Sequence, residues 1–103
     1  MAAGLDPVKP LASYMTPNIW TYPIELAEAL LRFGLAPTSE TPPRLVRDQL
    51  NDLYRYEIRR LRELLLTGVV AKPDYVPRVI ELRKKYWPLS LTPDAWEKIC
   101  RGE

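Results

Sequence analysis

The sequence predicts an all-α protein: a small helical bundle of three longer helices and one short C-terminal helix, preceded by an irregular, proline-rich arm over residues 1–22. Three observations carry that expectation. Residues 41–67, TPPRLVRDQLNDLYRYEIRRLRELLLT, form one long amphipathic stretch that contains no glycine and, past its first turn, no proline. The 11 prolines among 103 residues, about twice the usual share, fall mostly where helices would start or the chain would turn. No run alternates apolar and polar residues over the length of a strand.

Residues 1–22 hold Pro7, Pro10 and Pro17 and have no helical period, so they are expected to be extended or irregular. Their second half carries Tyr14, Met15, Ile19, Trp20 and Tyr22, bulky groups that a merely disordered tail would lack. Residues 1–9 are therefore read as loose, and residues 14–22 as lying against the helices of this chain or of a partner. The remainder, residues 23–103, is read as the helical domain.

Pro23 suits a helix start, with Glu25 and Glu28 near the positive end of the helix dipole and Ile24, Ala27, Leu30 and Leu31 as its expected buried side. Gly34 followed by Leu35 matches a left-handed cap in which Leu35 folds back onto Leu30. A short loop over residues 36–40 then makes the first two helices expected antiparallel neighbours.

The second helix, with Thr41 as N-cap and Pro42 at its first position, would be roughly 39 Å long at 1.5 Å per residue. At 100° per residue Val46, Leu50, Leu53, Tyr54, Ile58, Leu61, Leu64 and Leu65 gather on one side. Asp48, Asp52, Arg55, Arg59 and Arg62 gather on the other. A third helix is expected from about Pro73 to Tyr86 on the spacing of Tyr75, Val79, Leu82 and Tyr86. Pro77 is tolerated only in a first turn, which favours a start near Asp74 or a kinked one. Thr92, Pro93 and Asp94 make a helix-start signature, giving a last short helix through about Cys100 with Trp96 and Ile99 inward.

The join between the second and third helices, residues 61–78 (LRELLLTGVVAKPDYVPR), resembles the SHOCT family of short helical hairpins. In that family a leucine-rich helix ends at glycine, two aliphatic residues follow, and an acidic and an aromatic residue open the next helix; Gly68, Val69, Val70, Asp74 and Tyr75 occupy those places. Ala71 stands where the family has a capping hydroxyl, and Pro73 and Pro77 depart from its pattern. The resemblance implies a packed hairpin of the kind used for association.

Composition bounds the function. A chain of this size buries roughly two-thirds of its unfolded surface and fits a single domain. Cys100, the single cysteine, allows no internal disulfide, and with no leader-like or membrane-spanning run in view the expected setting is the cytoplasm. The formal charge of +2 is uneven: residues 44–86 carry eleven basic and six acidic side chains, and the flanking segments are slightly acidic.

The chain has no histidine, so the commonest general base and metal ligand is missing, and one cysteine cannot build a thiolate cluster. Ser13, Ser39 and Ser90 lack a nucleophile-elbow context, and the four glycines make no phosphate-cradling loop. No catalytic residue, metal, cofactor or small-molecule substrate is therefore expected. Carboxylates such as Asp48, Asp52 and Glu57 are the remaining acid–base candidates. Glu57 falls inside the apolar stripe, where an unpaired carboxylate is costly. It is read as snorkelling or ion-paired, to Arg60 or to a basic group of the third helix, in preference to a functional acid.

The expected function is protein association, with a protein partner or a second copy of the chain. Tyr14, Trp20 and Tyr22 on the arm, and Leu45 and Tyr56 with Gln49 on a flank of the long helix, are the candidate contacts. Nucleic-acid binding is the alternative, through Arg55, Arg59 and Arg62, with Arg44 near the same line and Lys84 and Lys85 in a second cluster. Against it, Asp48, Asp52, Glu63 and Glu81 interleave with these charges, and Arg44–Asp48 and Arg59–Glu63 have the spacing of helix neighbours.

Overall fold

The computed structural model describes residues 19–102, and the expectations for Tyr14 and the rest of residues 1–18 lie outside them. Four helices follow one another, α1 Ile24–Leu31, α2 Pro43–Leu66, α3 Lys72–Lys85 and α4 Pro93–Cys100, with a 3-10 turn at Trp87–Ser90 between the last two. No strand occurs among the described residues. The class is all-α; α1, at 8 residues, is as short as α4.

α1 buries Leu26, Ala29 and Leu30, the i, i+3, i+4 positions of a stripe that Phe33 extends. The expected inner face is thereby rotated. Ile24 and Leu31 are 74 % and 64 % exposed. With six of its eight residues apolar, periodicity within the helix cannot choose a face, and packing beyond its end decides. Gly34, at φ +80°, closes the helix: Gly34 N–H donates to Leu31 O at 2.9 Å and Leu35 N–H to Leu30 O at 3.0 Å. These are the paired bonds of a Schellman cap, and both Leu30 and Leu35 belong to the core.

α2 begins at Pro43, one residue later than expected, because Pro42 stays extended at φ −62°, ψ 132°. Thr41 caps nothing. Its hydroxyl instead accepts from Thr38 N–H at 3.0 Å, tying off the preceding turn. α3 starts at Lys72, so Pro77 lies inside the helix, beyond the first turn. Only α4 has a side-chain cap as read from the sequence, Thr92 Oγ1 accepting from Ala95 N–H at 3.1 Å.

The core gathers around the first half of α2: Val46 and Leu50 meet Leu26 and Leu30 of α1, Tyr86, and Trp96 and Cys100 of α4. Trp96 is fully buried, and its indole N–H donates to Pro88 O at 2.8 Å, which fastens the 3-10 turn to α4. Arg47 holds the same turn from α2, donating to Leu91 O at 3.0 Å and Leu89 O at 3.2 Å. Arg44 reaches across to Asp94 and Glu97 of α4, so the expected Arg44–Asp48 helix pair is not the one made.

The segment before α1 is anchored in cis. Trp20 N–H donates to Ser39 O and Thr21 N–H to Cys100 O, both at 2.7 Å, and Tyr22 Oη donates to Thr41 O at 2.6 Å. Trp20 and Tyr22 pack partly buried on the core. Beyond Tyr54, α2 leaves this core. In its second half only Leu61 is buried, and this half pairs with α3, which has no buried residue of its own.

Candidate functional site

Because α2 outruns the core, the α2–α3 hairpin keeps apolar surface uncovered. A groove of about 650 Å³ runs between the two helices along about two turns of each. Its apolar floor is Leu61 and Leu64 of α2 with Leu82 of α3. Arg60 stands on the α2 wall, and Arg78 and Glu81 stand on the α3 wall. Glu57 and Lys85 close the end nearer the core.

Glu57 is tied down at that end. Tyr86 Oη donates a hydrogen bond to its Oε2, and Lys85 Nζ lies 3.6 Å from the same oxygen. The sequence expectation of an ion-paired glutamate therefore holds, with Lys85 of the third helix supplying the base and Arg60, on the same groove, making no ion pair among the described residues. Burial, then the Glu57 carboxylate, raises the Tyr86 hydroxyl above its ordinary range. The Phe33 ring stacks on Tyr86 at 4.3 Å between centroids, with Lys85 Nζ 5.5 Å from the Phe33 ring centre. The C-terminal end of α1 is thus seated at the mouth of the groove.

Leu45, Gln49, Leu53, Tyr56, Arg60 and Leu64 recur at 4-4-3-4-4 spacing, so they form one continuous line down α2 that ends in the groove wall. Leu45, Leu53 and Tyr56 are 50 %, 37 % and 57 % exposed. No other described helix covers this flank, and Leu45 and Tyr56, singled out from the sequence, lie on it together. Trp20 and Tyr22 do not join them, being packed on their own core. Trp20 Nε1 is buried without a hydrogen-bond partner.

The basic candidates separate. Arg55, Arg59 and Arg62 are exposed on the side of α2 turned from the groove, and make no ion pair among the described residues. The expected Arg59–Glu63 pair is absent. Lys85 belongs to the groove and to Glu57, and Lys84, one residue or about 100° earlier on α3, points away from it. Cys100 is wholly buried, and burial pushes its thiol up to about 11, which keeps it protonated and unreactive at neutral pH.

The groove was not legible in the sequence. Arg60, Arg78 and Glu81 looked like ordinary solvated charges, and only the pairing of α2 with α3 brings them around an apolar floor. No family model, curated protein or solved structure matches this chain. Among the described residues, no helix is long and apolar enough to cross a membrane.

Proposed function

We propose that this chain is a non-catalytic protein-association module, a small accessory or adaptor subunit of a larger cytoplasmic assembly. The observation that carries the reading is the line of Leu45, Leu53 and Tyr56, exposed large apolar groups on a flank of α2 that no other described helix covers. Interfaces are enriched in aromatic residues and arginine, and Tyr56 and Arg60 stand one turn apart on this line. The likeness of residues 61–78 to SHOCT-type hairpins supports the same use of the α2–α3 unit.

The test is affinity capture at native expression level, wild type against Leu45→Asp and Tyr56→Asp. Both positions are exposed, so both variants are expected to fold with unchanged helicity and to lose the partner that the wild type retains. Identical partner sets from all three proteins would refute the reading.

A second reading, nucleic-acid binding along α2, draws on one observation: Arg55, Arg59 and Arg62 are solvent-facing and not neutralised by neighbouring carboxylates. The excess charge is modest, and it ranks below association.

A further inference from the structure

Among the described residues two surfaces are left without partners, and they complement each other in net charge. One is the outer face of α1. Ile24 and Leu31 stand exposed seven residues apart on one line of the helix, with exposed Glu28, Arg32 and Glu25 together along one side of it, where they border a cleft against Trp87. The other is the α2–α3 groove, with its leucine floor and with Arg60, Arg78 and Glu81 on its walls. Among the described residues none of these six charges makes an ion pair.

We infer that the groove receives the outer face of α1 from a second copy of this chain, and that two copies form a closed two-fold dimer in which each α1 fills the other's groove. The inference rests on the association reading above and names the partner of that same hairpin. Three features of the fold argue for it.

Charge is the first. α1 offers two carboxylates and one guanidinium, and the groove, beyond its mutually paired Glu57 and Lys85, offers two guanidiniums and one carboxylate, so the unpaired charges of the two surfaces are opposite in net sign. A foreign partner would have to reproduce that two-to-one pattern, whereas a second copy already carries it.

Length is the second. The 8 residues of α1 span about 12 Å, and the groove walls, residues 57–64 on α2 and 78–85 on α3, run for about the same distance at 1.5 Å per residue. Ile24 and Leu31, roughly 10 Å apart along the axis, can both reach the leucine floor.

Adjacency is the third. Phe33 follows α1 directly and sits on Tyr86 under Lys85, so α1 ends where the groove begins. A two-fold axis passing near that junction places each α1 over the opposite groove. The contact is then made twice, which closes the assembly and doubles the buried area of a single short helix.

The test is sedimentation velocity over a range of protein concentration on the full chain and three charge variants. These are Arg60→Glu with Arg78→Glu, Glu25→Arg with Glu28→Arg, and the fourfold swap that combines them. All four positions are exposed, so circular dichroism and melting of the variants serve as controls for folding. The wild type is expected to be dimeric, each charge-reversed pair to weaken dimerisation roughly tenfold or more, and the fourfold swap to recover most of that loss. A wild type that stays monomeric at every concentration overturns the inference, even if affinity capture still finds a foreign partner. In that case the association reading stands and the partner is another protein. A dimer that both charge-reversed pairs leave unchanged overturns it as well, because the interface then lies elsewhere.

Discussion

Replacing Tyr86 by phenylalanine isolates the bond that lets a glutamate sit inside the apolar stripe of α2. Tyr86 is 3 % exposed and donates to Glu57 Oε2, and Lys85 approaches the same oxygen at 3.6 Å. A hydrogen bond to a charged acceptor contributes about 1.5–3 kcal/mol when buried, but the Glu57 side chain is 35 % exposed, and water can replace part of what is lost. Tyr86→Phe is therefore expected to cost about 1–2 kcal/mol. For a domain of this size that lowers Tm by roughly 4–16 °C. The ring itself remains, so its contacts with Phe33 and Tyr54 survive, and the loss belongs to the hydroxyl.

Glu57→Gln retains an acceptor but removes the charge that Lys85 faces, and is expected to cost about 0.5–1 kcal/mol. Because both substitutions act on one bond, the double variant should cost less than the sum, with a coupling of about 1 kcal/mol. Urea denaturation of the four proteins with a common m-value measures all three quantities. If Tyr86→Phe falls within about 0.5 kcal/mol of wild type, or the two costs simply add, Glu57 is a solvated surface charge and the reasoning fails.

Three further outcomes are expected. Burial raises the Tyr22 and Tyr86 hydroxyls and the Cys100 thiol above their ordinary ranges, so the folded chain binds these protons more tightly than the unfolded one. Stability should then be full below about pH 8.5 and fall as pH rises, with Cys100 alone contributing roughly 2–3 kcal/mol lost by pH 11. Melting at pH 7 and pH 10 checks this, Cys100→Ala should flatten the slope, and a flat profile in the wild type would contradict the burial argument. Trp20→Ala should cost about 2–3 kcal/mol with sedimentation unchanged, because Trp20 packs on its own core, and Trp20→Phe should cost less because it also removes the unpartnered indole N–H. Loss of assembly without loss of stability would return Trp20 to the partner surface. For Arg59→Ala, a mobility-shift titration at two salt concentrations is expected to match wild type, and a salt-sensitive loss of binding common to all sequences would favour the nucleic-acid reading.

Features written into consecutive residues were the legible ones. Gly34 with Leu35, and Thr92 with Pro93, are local capping signals whose bonds close within a few residues, and the structure forms both. Trp96 followed from the same short helix. Where two local solutions compete, the sequence alone could not choose. α1 is apolar on nearly every side, so its buried face is selected by Phe33 and Leu35 beyond its end, and Ile24 and Leu31 turn outward. Arg44 has a correctly spaced Asp48 beside it and instead takes Asp94 and Glu97, some 50 residues away, because α4 packs against the first half of α2.

The same contrast explains why association could be expected from composition yet not located. An exposed leucine or tyrosine on a helix wheel becomes a surface only once the neighbouring elements have taken their places. In this chain Trp20 and Tyr22, the aromatics that looked most in need of a partner, pack on the core in cis, with Trp20 N–H bonded to Ser39 O and Tyr22 Oη to Thr41 O. That cover lies at the end of the molecule where α1, α4 and the first half of α2 meet. The long helix runs on past it for about three turns with α3 as its main companion, and a pair of helices cannot bury both flanks of either one. The groove between α2 and α3 is thus a consequence of the length of α2. Twelve fewer residues would have ended the helix inside the core, with no groove to fill.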